Sequence, residues 1–359
     1  MLIYFSCLLI VTCAATLAQK PGNGRDVSWL LIFLAFTTMV LVAGFRDEYV
    51  GTDTRAYTIA FRQQATFYDA IKESSNELGY LALQTAARAV SDDYWVLLTA
   101  IAVVAVFCYM RSIYELSVIP AVAFFVFITM GYYTFFFNGA RQGIACAIYT
   151  LALGSLINGN FKKYAFWVMI AFCFHKSVII ALPLYFLFRQ KNTLLFVIQM
   201  VVSATIAVFF FGSFLDFGAL LSDKYSVYKE IGTTGGRLLT LFYLLLCVFF
   251  IYYRSAISTC DRIAYDYFLN MLIFGSTIYI VVTFSGGYTE ITRVAIYFQI
   301  ALIFLWPILL RNIRESKIRF LFEITFLLGH IGYFYIFTTK MAGLVPYEIN
   351  KNTFFQWLL

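Results

Sequence analysis

The chain has 359 residues, of which 62% are hydrophobic and 13% charged. Soluble domains carry roughly 25% charged residues, so this composition excludes an ordinary soluble multi-domain protein and points to one membrane-embedded domain over 1–359. The formal charge of +7 comes without a compact basic block. It therefore bears on membrane orientation rather than on nucleic acid, which is not an expected partner.

In chain order, long apolar runs fall at about 2–18, 28–45, 94–110, 117–137, 142–158, 193–212, 237–253, 263–284, 291–310 and 320–338. Lipid cannot satisfy backbone N–H and C=O groups, so continuous runs of this length predict helices. A barrel would need alternating strands. The first run ends in Ala14, Ala15 and Ala18 as a signal peptide would, but no positive charge precedes it, and it is read as a retained span. The stretch 161–188 admits two readings. It is either one long kinked span or a short helical hairpin whose arms, 161–174 and 177–188, meet at His175. Two long outer loops are expected, at about 46–93 and 213–236. The first has helical apolar spacing at Leu78, Leu81, Leu83, Ala86 and Val90, as an interfacial helix would.

Charge decides between the two readings. With the hairpin and an outer N-terminus, the inner side holds 13 of the 26 Lys and Arg and 6 of the 19 Asp and Glu. The whole surplus then lies inside in short loops, as the positive-inside rule requires. A single kinked span inverts the later half and turns Arg311, Arg314, Lys317 and Arg319 outward. The expected fold is thus all-α, a polytopic transmembrane bundle of about 10–12 spans that includes the hairpin. Phe (40) and Tyr (26) are abundant, which suits many membrane interfaces.

Four constellations carry polar chemistry. The first, Arg46-Asp47-Glu48-Tyr49-Val50-Gly51-Thr52-Asp53-Thr54-Arg55, follows the second span. Gly51 and Thr52 permit a tight turn, Asp53 can take backbone hydrogens, and Arg46 and Arg55 offer forks for phosphate. Its plain alternative is a self-paired solvated loop. In the second, Asn138, Arg141 and Gln142 lie within one helical turn. An arginine there is costly without a partner or an anionic ligand. The third is His175-Lys176, which joins a group able to accept a proton to a cation for phosphate. The fourth runs from Ser285 to Arg293 with Tyr297 one turn on. A cation opening a helix opposes the dipole unless it serves an anion. His330, Asp266 and Glu323 are expected to pair or snorkel. The seven cysteines form no C-x-x-C pair and read as small buried apolar residues. P-loop, H-E-x-x-H, Gly-x-Ser-x-Gly and Rossmann patterns are absent, and no metal site is expected from the spacings.

Taken in order, these segments resemble the EpsG family of polysaccharide polymerases, related in role to the Wzy O-antigen polymerases. The matching residues are Phe45-Arg46-Asp47, Val50 to Thr54, Tyr57 and Phe61, then Glu77-Leu78-Gly79-Tyr80 and Phe137-Asn138 with Arg141-Gln142 and Ala145. Phe174-His175 with Ser177, and Arg293 with Tyr297, complete the set. Gly139-Ala140 stand where the family commonly has a bulky apolar residue.

The resemblance implies a multi-pass enzyme of the bacterial inner membrane, acting at the periplasmic or outer face and needing no metal or other cofactor. It would transfer a growing glycan from undecaprenyl pyrophosphate to the next lipid-linked unit, for O-antigen, capsule or exopolysaccharide. The expected partners are that lipid-linked oligosaccharide, membrane lipid and, left open, a chain-length regulator protein. His175 is the first choice for the proton acceptor, with Asp47, Glu48 and Asp53 as rivals. Arg46, Asp53, Arg55, Asn138, Arg141, Gln142, Lys176, Arg293 and Tyr297 are expected to bind substrate. The alternatives are a polysaccharide flippase or transporter, and another lipid-dependent glycosyltransferase or ligase, which would use metal through Asp47, Glu48 or Asp92-Asp93.

Overall fold

A computed structural model describes residues 1–19, 25–63, 77–221, 236–285, 289–313 and 316–350. Among them the secondary structure is helical, apart from one isolated antiparallel bridge between Arg46 and Ile349. Among the described residues seven helices are long and apolar enough to cross a membrane, and three shorter apolar helices accompany them. The chain is all-α and polytopic, and every predicted apolar run coincides with helix. It divides into two compact units, Met1–Leu182 with Ile313–Leu359, and Pro183–Asn312.

The first unit contains α1 (Leu2–Ala18), α2 (Arg25–Gly44), α3 (Thr54–Gln63), α4 (Leu78–Val90), α5 (Tyr94–Leu116), α6 (Pro120–Thr129), α7 (Tyr132–Asn138), α8 (Ala140–Thr150), α9 (Leu153–Ile157) and α10 (Phe161–Phe172). Helix α1 packs on α2 and α6, while α2 and α8 pack on α5. The run predicted at 142–158 is helical, but it breaks at Leu151-Ala152 between α8 and α9. Pro120 opens α6, where its missing N–H costs nothing.

The 161–188 stretch is a hairpin. Helix α10 ends at Phe172, the chain turns through Cys173–His175, and a 3-10 turn over Lys176–Ile180 leads into α11 (Ala181–Phe188). The Tyr164 hydroxyl donates to the Ala181 carbonyl at 2.9 Å. One continuous helix would hold those residues about 25 Å apart, beyond any tyrosine side chain.

The loop predicted at 46–93 contains α3 and α4. The buried side of α4 is Tyr80, Leu81, Gln84 and Ala87, while Leu78 and Val90 are exposed. The apolar stripe read from the sequence is therefore not the packed face, because Gln84 and Tyr80 occupy it. A second loop is expected at 213–236; α12 runs over Thr193–Leu221, and residues 222–235 lie outside the described residues. The cysteines also need correction: Cys13, Cys173 and Cys260 are exposed, and only the other four are buried.

In the second unit α12 and α13 (Arg237–Tyr253) pack against α14 (Thr259–Phe284), as does α15 (Leu302–Asn312). Its ionisable groups pair, as expected: Asp266 accepts from Arg254 at 2.7 and 2.8 Å. In the first unit, α16 (Ser316–Ile336) carries Glu323, which pairs with Arg319 at 2.8 Å, and His330, which meets Thr129 Oγ1 at 2.8 Å.

Candidate functional site

The segments that carry the predicted chemistry in the first unit are tied together by backbone contacts. The residues after α2 run antiparallel to the C-terminal stretch: Asp47 N–H donates to the Glu348 carbonyl at 2.9 Å and Asn350 N–H to the Phe45 carbonyl at 3.0 Å. At the tip of the loop Gly51 has φ +103° and its N–H donates to the Gly343 carbonyl at 2.9 Å. Asn138, at the C-terminal end of α7, joins both strands of this assembly. Its Oδ1 accepts from Thr52 N–H at 2.9 Å and its Nδ2 donates to the Ala342 carbonyl at 2.8 Å. The Asn138 amide is thus engaged by backbone on both of its atoms.

Arg46 is fully buried at 1% exposure. Its guanidinium lies 4.1 Å over the Phe137 ring and donates to the Ala43 carbonyl in the last turn of α2. A cation at a helix C-terminus and over an aromatic face is stabilised by both. Burial, opposed by the neighbouring Tyr4 and Tyr133, lowers its pKa only to about 10, so it remains charged at neutral pH.

A second cluster centres on Glu77, just before α4. Its side chain is almost wholly enclosed, at 6% exposure, whereas those of Arg141 and His175 are about a third open at 31% and 28%. Glu77 Oε2 accepts from Arg141 at 3.0 Å. Oε1 accepts the Lys176 backbone N–H at 3.2 Å and lies 3.1 Å from His175 Nδ1, an ion-pair distance somewhat off the line of an ideal hydrogen bond. Burial alone would raise the Glu77 pKa. Contacts from His175, its own N–H, Arg141 and the Lys176 N–H outweigh burial and hold the carboxyl at about 2. One carboxylate therefore holds two of the predicted groups, drawn from segments 34 positions apart in the chain.

Gly79 makes this approach possible. Its N–H donates to the Cys173 carbonyl at 2.7 Å, and a Cβ there would stand 2.7 Å from the same oxygen. Tyr57 closes another side. Burial raises the pKa of its hydroxyl, with Arg141 acting against that rise and Asp53 adding to it. Tyr80 stands edge-on to Tyr57 at 6.1 Å, and its buried hydroxyl feels both Arg141 and Arg46. Arg46, Tyr57, Tyr80, Glu77, Arg141 and His175 thus share one neighbourhood.

The other predicted residues are less central. Asp47 Oδ1 accepts the Tyr49 N–H at 3.0 Å. Glu48 accepts from Thr58 at 2.7 Å and from Arg62 at 3.2 Å. Half-buried Asp53 opens α3 through its carbonyl, which takes the Ala56 and Tyr57 N–H groups. Arg55 is exposed and lies 5.2 Å over the Tyr49 ring. Gln142 is buried in α8, and the Lys176 side chain is exposed. Arg293 is exposed and Tyr297 fully buried in the second unit, while 286–288 of their constellation lie outside the described residues. Among the described residues no group of three or more His, Cys, Asp or Glu converges as a metal site, and Asp92 pairs with Arg88 at 3.0 Å.

Glu77 is the member of the cluster that residue chemistry alone did not single out. Its only signal was its place in the Glu77-Leu78-Gly79-Tyr80 match, in a loop rich in other acids. No curated protein and no solved structure matches the chain. The EpsG family model matches residues 29–349, and the chain belongs to that family of Wzy-type, membrane polysaccharide-polymerase-like proteins.

Proposed function

We propose that the chain polymerises lipid-linked oligosaccharide repeat units, moving the growing glycan from undecaprenyl pyrophosphate onto the next unit at the outer face of the inner membrane. The observation that carries this reading is the pairing of a proton acceptor with a partly open guanidinium on one buried carboxylate, in a chain of this family. The acceptor hydroxyl attacks the anomeric carbon and its proton passes to His175. A glycosidic C–O bond forms, and the bond to the pyrophosphate oxygen breaks with its electron pair on the leaving group. Arg141 and Lys176 offset the charge that develops there. The positive-inside distribution supports the outer location.

The assay is surface-glycan length in cells carrying single substitutions. Arg141→Ala and His175→Ala are expected to leave glycan of one repeat unit at normal protein level. Arg46→Ala is expected to lower the level of folded protein instead, because that guanidinium is enclosed. Full-length polymer in both Arg141→Ala and His175→Ala would refute the reading. A flippase would leave no repeat unit outside at all.

A further inference from the structure

We propose that Glu77 is a positioning residue that holds the His175 imidazole and the Arg141 guanidinium in register for glycosyl transfer; this rests on the polymerase reading above. The argument is geometric. Glu77 has 6% of its side chain exposed, so substrate reaches His175 and Arg141 and not the carboxylate behind them. Its two oxygens divide the work. Oε2 takes Arg141, while Oε1 takes the Lys176 N–H and faces His175 Nδ1. Nδ1 and Nε2 leave an imidazole ring in diverging directions, so a carboxylate on Nδ1 turns Nε2 away from itself. The same contact to the Lys176 N–H fixes the turn that carries the ring. Gly79 N–H on the Cys173 carbonyl, at 2.7 Å, anchors that turn from the other end. The carboxylate therefore sets orientation on both sides of the reacting bond: base on one arm, anion acceptor on the other.

Glu77→Gln keeps the shape and removes the charge. The test uses purified full-length protein in lipid nanodiscs, with lipid-linked repeat units extracted from host cells lacking this chain. The expected result is a kcat about 30- to 100-fold lower, since alignment of a general base and its partner is worth that much, with KM within about 2-fold of wild type. Arg141→Gln is expected to lower kcat as well, because its guanidinium offsets charge that develops only as the bond breaks. The double variant Glu77→Gln/His175→Gln is expected to lose less than about 3-fold beyond His175→Gln, because residues acting as one unit are not additive. A purely structural role would lower the yield of folded protein and leave kcat per folded molecule unchanged. If Glu77→Gln does not fold, Glu77→Asp takes its place. Its shorter side chain cannot reach both partners, and a kcat at least about 10-fold lower is expected. Wild-type kcat in the variant that folds, or independent losses in the double variant, overturns the positioning role alone. A fully active His175→Gln removes the base that Glu77 would orient and overturns this inference; wild-type protein that lengthens no unit overturns the polymerase reading and this inference with it.

Discussion

Gly79→Ala adds one carbon at the tightest backbone approach in the Glu77 cluster. The new Cβ would lie 2.7 Å from the Cys173 carbonyl oxygen, 3.0 Å from its carbon and 3.1 Å from the Phe174 ring. Ordinary contact begins near 3.4 Å, so the two segments must part by about 0.7 Å. Two opposing effects enter. Alanine in place of glycine in a helix is worth about 0.5–1 kcal/mol of stabilisation. Overpacking against backbone costs about 1–3 kcal/mol, and weakening the Gly79 to Cys173 hydrogen bond costs about 1 kcal/mol more. The net is a loss of about 1–3 kcal/mol. The same displacement carries His175 away from Glu77, and a shift approaching 1 Å in a catalytic group can cost about 100-fold in rate. Thermal unfolding in detergent and turnover of lipid-linked units measure the two effects. Gly329→Ala is the control: it lies in α16 with no heavy atom within 4 Å of the added carbon, and is expected to be neutral or slightly stabilising. A Gly79→Ala protein as stable and active as that control would refute the close approach.

Two further perturbations test the same framework. Asn138→Leu removes the acceptor for Thr52 N–H and the donor to the Ala342 carbonyl, and is expected to cost about 2 kcal/mol; faster limited proteolysis between 342 and 350 would register the release, and an unchanged cleavage rate would count against the clamp. The Glu77 carboxyl sits at about 2 against an ordinary 4.5, so its ionised form favours the fold. That contribution, about 3 kcal/mol, is complete above pH 4.5 and is lost as pH falls toward 2. The unfolding midpoint followed from pH 6 to 2 should therefore fall more steeply in wild type than in Glu77→Gln, and parallel curves would remove Glu77 from the acid response.

Much of the architecture could be read from apolar run length, because lipid forces such runs into helices. The hairpin at 161–188 was legible through charge: with every other apolar run crossing once, a fold-back puts Arg311 and Lys317 on the same side as Lys162 and Lys163. The faces of α4 were not, since burial of Tyr80 and Gln84 depends on the neighbours of α4 and not on its own periodicity. Glu77 was obscured for the same reason. A carboxylate among eight acids between 46 and 93 acquires meaning only when Arg141 and His175 arrive from distant segments. Asn138 reads in the sequence as a ligand-binding amide, and in the fold each of its polar atoms also bonds to backbone.

Arg46 and Arg141 separate on physical grounds that their shared residue type conceals. A guanidinium at 1% exposure forfeits its hydration, and a phosphate could touch it only after Phe137 and the antiparallel C-terminal stretch had moved. What compensates Arg46 is local and permanent: the carbonyl end of α2, the face of Phe137 and the surrounding tyrosine rings. Arg141 is compensated by one carboxylate and keeps about a third of its side chain open, so an arriving phosphate can share it without dismantling the fold. A buried arginine with fixed partners holds the loop that follows α2, and a half-open arginine paired with Glu77 still presents part of its surface to substrate. In the proposed transfer the charge that faces the leaving group is therefore carried by Arg141 and Lys176, on a frame that Arg46 keeps in place.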